Sequence, residues 1–174
     1  MLSVLAPDAI AARADDVARE AEIVILALPL GRRDELPAAE LAGVIVIDAM
    51  NYWPTTDGVL PEFEANAASS PVVASTLPAS RVVKALSHVG YHELLTDARP
   101  SGDSDRRAIA VAGDDPDAVA RVSTLVDSLG FDPVVVGRLD EGEHFAPGTP
   151  AFGISVSASE LVRRIDERRS GRHG

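Results

Sequence analysis

The chain has 174 residues, 46% of them hydrophobic and 25% charged, and a formal net charge of −11. That balance suits one globular unit able to bury roughly 70% of its unfolded surface. The strong negative charge excludes sequence-independent binding to nucleic acid or to anionic membrane, both of which need a positive field.

Without cysteine there is no disulfide framework, no thiolate metal site and no cysteine nucleophile, which fits a reducing cytoplasm. The opening MLSVLAPDAI lacks a basic n-region and a long apolar core, so it does not read as a signal peptide. No apolar run reaches the ~20 residues of a transmembrane helix. A cytoplasmic location is the expectation.

In chain order, Ile10 to Arg13 suggests a short edge strand, and Asp15–Asp16 ahead of Val17, Ala18 and Ala21 suggests a short capped helix within Asp8 to Ala21. Ile23 to Leu28 and Val44 to Ile47 are β-branched apolar runs too short to cross a membrane, and they read as strands buried on both faces. Between them, Pro37 to Leu41 carries a short helical pattern, and a crossover of this length joins parallel neighbours. Ligands of such sheets sit beyond the carboxyl ends of the strands, which brings Pro29–Leu30–Gly31 and Ala49–Met50–Asn51 together at one rim.

After a loop from Tyr52 to Gly58, Val59 to Ala68 predicts a brief helix. Ser70–Pro71 opens another, which Pro78 must interrupt. Arg81 to Leu86 is a third strand leading into Ser87–His88. Asp97 to Arg107 reads as a polar surface connection and Ala108 to Ala112 as a fourth strand. Gly113–Asp114–Asp115–Pro116 is a helix start, with helical spacing at Val119, Val122, Val126 and Leu129, and Gly130 suits C′. Asp132 to Val136 is the fifth strand. Ser157 to about Arg168 predicts a last helix, its basic end fraying into SGRHG. The fold class is α/β: an incomplete Rossmann-like, doubly wound, mainly parallel sheet with a small C-terminal helical segment.

A parallel sheet of this kind usually holds a nucleotide through a glycine-rich turn. Neither GxGxxG nor GxxxxGK[ST] occurs in the sequence. His88 and His92 have metal-ligand spacing, but Gly90 between them argues against a shared helix; one histidine facing the cleft, or two solvated ones, fits better. Capping accounts for Asp114, Asp115 and Asp117 without a ligand. Asp48 could orient a ribose but more readily accepts loop amides. Asn51 can donate and accept, which suits a carboxamide or ribose as well as a turn. Tyr52 and Trp53 could stack on a planar ring or cover the sheet edge, and cover is the simpler reading. The C-terminal arginines complement the dipole of their helix. No Ser–His–Asp order or GxSxG elbow points to a hydrolase.

Four segments, VILALPLGR, VIDAMNYW, LPASRVVKAL running into Ser87–His88, and AVAGDDPDAVARVSTLVDSLGFDPVVVG, together resemble the NADPH-dependent reductases of coenzyme F420, in particular their actinobacterial members. The likeness runs from Ile23 to about Leu161, and its more specific parts are the Gly113 segment and VVKAL. Six-carbon sugar-acid dehydrogenases and pyrroline carboxylate reductases share the apolar strands. The resemblance implies an oxidoreductase binding NADP(H) and coenzyme F420, with hydride passing directly between nicotinamide and deazaflavin, so that positioning is the main demand. It implies that Leu28, Pro29, Leu30 and Asn51 line the nicotinamide side and that Ser87 and His88 lie near the deazaflavin. It also implies a division into 1–137, a truncated NADP-binding Rossmann-like domain, and 138–174, a C-terminal loop, helix and basic tail.

The chain departs from the family in two places. Leu86–Ser87 sets the histidine one position off the family pattern. The strand, glycine fingerprint, helix and second strand that open the family are missing before Met1. The expectation is that the protein starts upstream or, as the alternative, that it is a truncated relative; without that part, weak dinucleotide binding and an open sheet edge are expected. Small-molecule cofactors, and a homodimer, are the expected partners. Two other readings are a non-catalytic remnant serving as a dimerisation or binding module, and a reductase of a small imine or keto substrate. The latter needs a proton donor that Lys84, the sole lysine, does not obviously supply.

Overall fold

The computed structural model describes residues 8–64 and 68–171. Helix α1 (Ala14–Glu20) precedes strand β1 (Ile23–Leu26), and β2 (Ile45–Asp48) and β3 (Arg81–Lys84) follow. Next come β4 (Ala108–Gly113), helix α6 (Pro116–Ser128), β5 (Asp132–Gly137) and the terminal helix α7 (Ala158–Gly171). The short helices between β2 and β4 are α2 (Pro54–Asp57), α3 (Pro61–Glu64), α4 (Ser70–Thr76) and α5 (Tyr91–Thr96).

The strands form one sheet in sequence order, β1 to β5. β1, β2 and β3 are mutually parallel, β4 is antiparallel to β3, and β5 is parallel to β4. The result is a mixed, mostly parallel, Rossmann-like α/β sheet with an added C-terminal helix. The reversal at β3–β4 sends the carboxyl ends of β4 and β5 away from those of β1 to β3, so only the first three strands share a ligand-facing rim.

Alternation along the strands sorts the core. Ile45, Ile47, Val83, Ile109 and Val111 pack with α6 through Val119, Val122 and Val126 on one face. Val46, Val82 and Leu26 pack with Val73 and Leu77 on the other. On β4 the alternate positions are Ala108, Ala110 and Ala112, and these short side chains let Leu161 and Ile165 of α7 settle on the sheet. β2 is buried along its whole length, as a central strand requires.

β1 differs from the sequence expectation of burial on both faces. It is an edge strand, and Ile25 is 47% exposed. Ile10 to Arg13 is not a strand and is exposed, because no neighbour offers a ladder there. The pattern at Pro37 to Leu41 makes a single turn closed by Leu41 N–H to Pro37 O, and Gly43 at φ +78° ends it. A 3-10 segment at Leu30–Glu35 supplies most of that crossover. Of Val59 to Ala68, Pro61–Glu64 is helical, and residues 65–67 lie outside the described residues, as does the opening MLSVLAP. The last helix does not fray at Arg168 but continues to Gly171, carried by Arg169, which bonds Glu141 and the Val136 carbonyl.

At the α6 start the Asp115 carboxylate caps the helix, accepting the Ala118 N–H at 2.8 Å, and Gly130 has φ +96°; Asp114, expected to share in capping, instead accepts the Leu139 N–H at 3.2 Å. The Asp97–Arg107 connection is less superficial than its composition suggests. Arg106 is buried and donates to the Phe131 carbonyl at 2.9 Å; Arg107 is buried and pairs with Glu93 and Asp97 at 2.8 and 2.9 Å. The buried guanidinium groups thus pin the connection to the sheet. Among the described residues no helix is long and apolar enough to cross a membrane.

Candidate functional site

The carboxyl ends of β1 and β2 open on a cavity of about 310 Å³, whose lining includes Leu28, Pro29, Met50, Asn51, Trp53 and Asp57. The first four come from the β1 and β2 exits, where the sequence places a cleft. Of the expected site residues, Leu28, Pro29 and Asn51 line it. Leu30 does not: it is fully buried, packed with Leu26 and Met50 beneath the rim. Ser87 and His88 follow β3 and connect to the cavity through Asn51, whose Nδ2 donates to the Ser87 carbonyl at 2.6 Å. The amide oxygen of Asn51 is left to accept from a ligand. Leu86, at φ +61°, takes the left-handed turn that ends β3 at this point, a conformation that costs a branched residue energy and tends to mark functional loops.

His88 neither faces the cleft nor is solvated. It is buried, its Nε2 accepts the Ala110 N–H at 2.9 Å, and its ring meets Phe145 edge-on at 5.4 Å. It fills the position on the β4 edge that a further residue of β3 would otherwise pair. Burial first, then the positive charges of Arg107 and Lys84, push the imidazole down to about 4, against a smaller opposing pull from the Ala151 backbone. The ring is therefore neutral at physiological pH. His92 is exposed on α5, its ring 3.9 Å from that of Tyr91, and among the described residues no group of side chains is placed to hold a metal ion.

Beneath the Met50–Asn51 loop lies a sealed polar network. Asp48, with no exposed surface, accepts the Met50 N–H at 3.0 Å, the Ser70 hydroxyl at 2.6 Å and the Lys84 ammonium at 3.4 Å. Lys84 Nζ also donates to the Met50 carbonyl. Burial pushes the lysine down from its ordinary value while Asp48 pulls it back up. Asp48 thus serves the loop amide, one of its two sequence readings. Lys84 holds both ends of the loop and has no route to the cavity.

One residue escaped sequence reasoning. Asp57 ties the β1 exit to the β2 exit: Oδ1 accepts the Gly31 N–H at 2.9 Å and Oδ2 the Trp53 N–H at 2.8 Å. A Cβ on Gly31 would stand 3.1 Å from the Asp57 carbonyl oxygen, so glycine is what lets the loops approach. Trp53 is not sheet cover; it lines the cavity and meets Phe152 at 5.9 Å and 71°. Tyr52 is the covering residue, its ring on Phe63 and its hydroxyl accepting the Leu60 N–H. The signal for Asp57 was the spacing Trp53–Pro54–Thr55–Thr56–Asp57, in which proline opens one helical turn and brings the carboxylate back to the Trp53 N–H. We expect Asp57→Ala to lose about 2 kcal/mol of stability and to speed hydrogen exchange at the Gly31 and Trp53 amides together; exchange that rises at one amide alone would show that the loops are not coupled through Asp57.

A larger concavity, about 980 Å³, lies between α6 and β5 near Gly113, Val119 and Val135. It is mainly apolar and lies away from the β1–β3 rim, beyond the β3–β4 reversal. The smaller cavity is the better candidate because the β1 and β2 exits meet at it and Asn51 ties it to the β3 exit, with hydrogen-bonding groups already positioned.

No family model matches the chain. Over 72 residues it is 39% identical to protein YjhV of Escherichia coli (strain K12), a match covering 41% of this chain and 53% of that protein; the chain thus spans about half the length of this curated relative. The crystal structure of the hypothetical protein SMa0349 from Sinorhizobium meliloti superposes with a TM-score of 0.66 at 26% identity, over 82% of this chain and 69% of the other. A second crystal structure, of a candidate F420-dependent NADP reductase from Arthrobacter sp. FB24, gives a TM-score of 0.63 at 25% identity, over 94% of this chain and 70% of that one. The fold is like that of an NADP-dependent oxidoreductase. With that fold, the cavity sits where such sheets receive ligands.

Proposed function

We propose that the chain is an oxidoreductase-like protein that takes the nicotinamide end of NADP(H) at the β1–β3 rim and exchanges hydride with a deazaflavin, coenzyme F420. The observation that carries this reading is the convergence of Leu28, Pro29 and Asn51 on one cavity, with Asn51 bonded to the Ser87 carbonyl of the next loop. The description of the Arthrobacter neighbour adds support for both cofactors. When bound, the nicotinamide supplies hydride chemistry. Leu28 and Pro29 would wall the ring, and the Asn51 amide oxygen would accept from its carboxamide.

Lys84 and His88 are sealed in the interior, away from acid–base work at the rim. Such a site acts by orienting its ligands and excluding water. We read residues 1–137 as the nucleotide-binding part and 138–174 as the part that completes the deazaflavin side. In support, Phe145 packs on His88, Gly153 N–H donates to the His88 carbonyl at 3.1 Å, and Phe152 meets Trp53. The residues present fit the ring better than the phosphates: no lysine or arginine lines the cavity, and these 174 residues hold no glycine fingerprint. Weak affinity for the whole dinucleotide follows. A cysteine-free chain suits work in the cytoplasm.

Calorimetric titration with NADPH, followed by spectrophotometric assay of F420 reduction, tests the reading. Binding is expected to be weak and to fall roughly fivefold to tenfold in Asn51→Ala, the loss of one hydrogen bond. No binding at millimolar NADPH would sink the proposal, and full turnover at ordinary NADPH levels would refute the predicted weakness. A second reading, a non-catalytic dimerisation module, draws on the open β1 edge with its exposed Ile25. Self-association in sedimentation analysis, with no affinity for either cofactor, would favour it.

A further inference from the structure

We propose that Trp53 and Asp57 make the rim cavity selective for the oxidised, positively charged nicotinamide ring over an uncharged planar ring of the same shape. The inference rests on the nicotinamide reading above and goes beyond it, by assigning which redox state the pocket favours and which residues decide.

Among the side chains that line the cavity, the only formal charge is the Asp57 carboxylate. The nearby cations are already engaged. Arg32, just past the β1 exit, pairs with Glu35, and Arg33 pairs with Glu62 at 2.6 Å and lies over the Phe63 ring. The local field at the mouth is therefore negative. It disfavours a phosphate and favours a cation.

Trp53 is the only tryptophan of the chain, lines the cavity and is 45% exposed, so its ring is open to a ligand. Its contact with Phe152 is edge-type at 71°, a favourable arrangement that is not a face-to-face stack. The backbone of Trp53 is fixed on both sides: its N–H donates to Asp57 Oδ2, and its carbonyl accepts the Thr56 and Asp57 N–H groups, each at 2.8 Å. The Trp53 backbone is thus tied to Asp57, and both residues line the same cavity.

A ring bearing a positive charge gains attraction to the partly exposed indole face and to the carboxylate beside the cavity. A neutral ring of the same size gains neither. Together the two attractions correspond to roughly tenfold in affinity. Because the oxidised form is the one held tighter, a tenfold preference lowers the midpoint of the bound two-electron couple by about 30 mV, which favours hydride leaving the bound cofactor.

The test compares N1-methylnicotinamide, a cation, with nicotinamide, which has the same ring and carboxamide but no charge. Saturable binding to the whole chain is followed by ligand-observed NMR, which also works when tryptophan is removed. We expect the cation to bind roughly tenfold tighter, the preference to fall severalfold in Asp57→Asn, and Trp53→Leu to weaken the cation more than the neutral ring. Equal affinities in the unmodified protein overturn the proposal while leaving NADP binding at this rim intact. Saturable binding of neither ring, in protein that does bind NADPH by calorimetry, overturns it too, and shows that the nicotinamide lies elsewhere. If NADPH also fails to bind, the underlying functional reading falls with it.

Discussion

Lys84→Met is expected to cost about 3–5 kcal/mol of stability, the usual penalty for leaving one member of a buried ion pair without its partner. The change is chosen to keep volume, so a cavity is not the cause. What it removes is the only counter-charge of Asp48, which has no exposed surface and then retains only the Met50 N–H and the Ser70 hydroxyl. It also strips the Met50 carbonyl of the Lys84 ammonium. Urea unfolding measures the loss. The double change Asp48→Asn with Lys84→Met removes both charges together, and because burying a pair costs nearly as much as the pair returns, it should recover most of the stability. A double mutant as unstable as the single one would mean that side-chain packing, not charge, holds the loop. The same cycle reads function: Asn51 directly follows Met50, so loosening that loop should weaken NADPH binding in Lys84→Met more than in the double variant.

This network also marks where the sequence stops being informative. Apolar runs bounded by turn residues made the strands legible, and Asp115–Pro116 with Gly130 made α6 legible at both ends, because those signals are local. The rim itself was legible through Leu28, Pro29 and Asn51, since parallel β1 to β3 must align their exits. The direction of β4 was not, because a 23-residue connection from Ala85 to Arg107 permits either sense and nothing local chooses. Arg106 and Arg107 sat in a stretch of surface composition, yet their partners, the Phe131 carbonyl, Glu93 and Asp97, lie up to 25 positions away. Lys84 gave a usable hint: a lone lysine between Val83 and Ala85, on a strand otherwise apolar beyond Arg81, has to be buried and so has to be paired. Asp57 was hidden for another reason: its role depends on the approach of Gly31, which belongs to a different loop.

His88 gives the second large effect, and it is a pH effect. Its folded value is about 4, against about 6.5 for an unfolded histidine, so between these pH values the unfolded chain binds more protons than the folded one. Stability must then rise with pH across that window. The neutral ring contributes fully above about pH 6.5, and its contribution is lost as pH falls toward 4, a total of about 3 kcal/mol for a shift of this size. The mechanism is specific. Protonating Nε2 would remove the acceptor of the Ala110 N–H and place a cation in the interior beside Arg107 and Lys84. Urea midpoints measured from pH 7.5 to 4 should decline steeply, and His88→Gln, which keeps an acceptor without a titrating group, should flatten the decline although it lowers stability at pH 7.5. Carboxylates shared by both proteins titrate alike, so the difference between the two profiles isolates the ring. Parallel profiles would show that the imidazole is reached by water in the native state. Because the Gly153 N–H bonds the His88 carbonyl and Phe145 packs on its ring, the same acid step should release the C-terminal segment from the rim, and ligand affinity should fall with stability rather than after it.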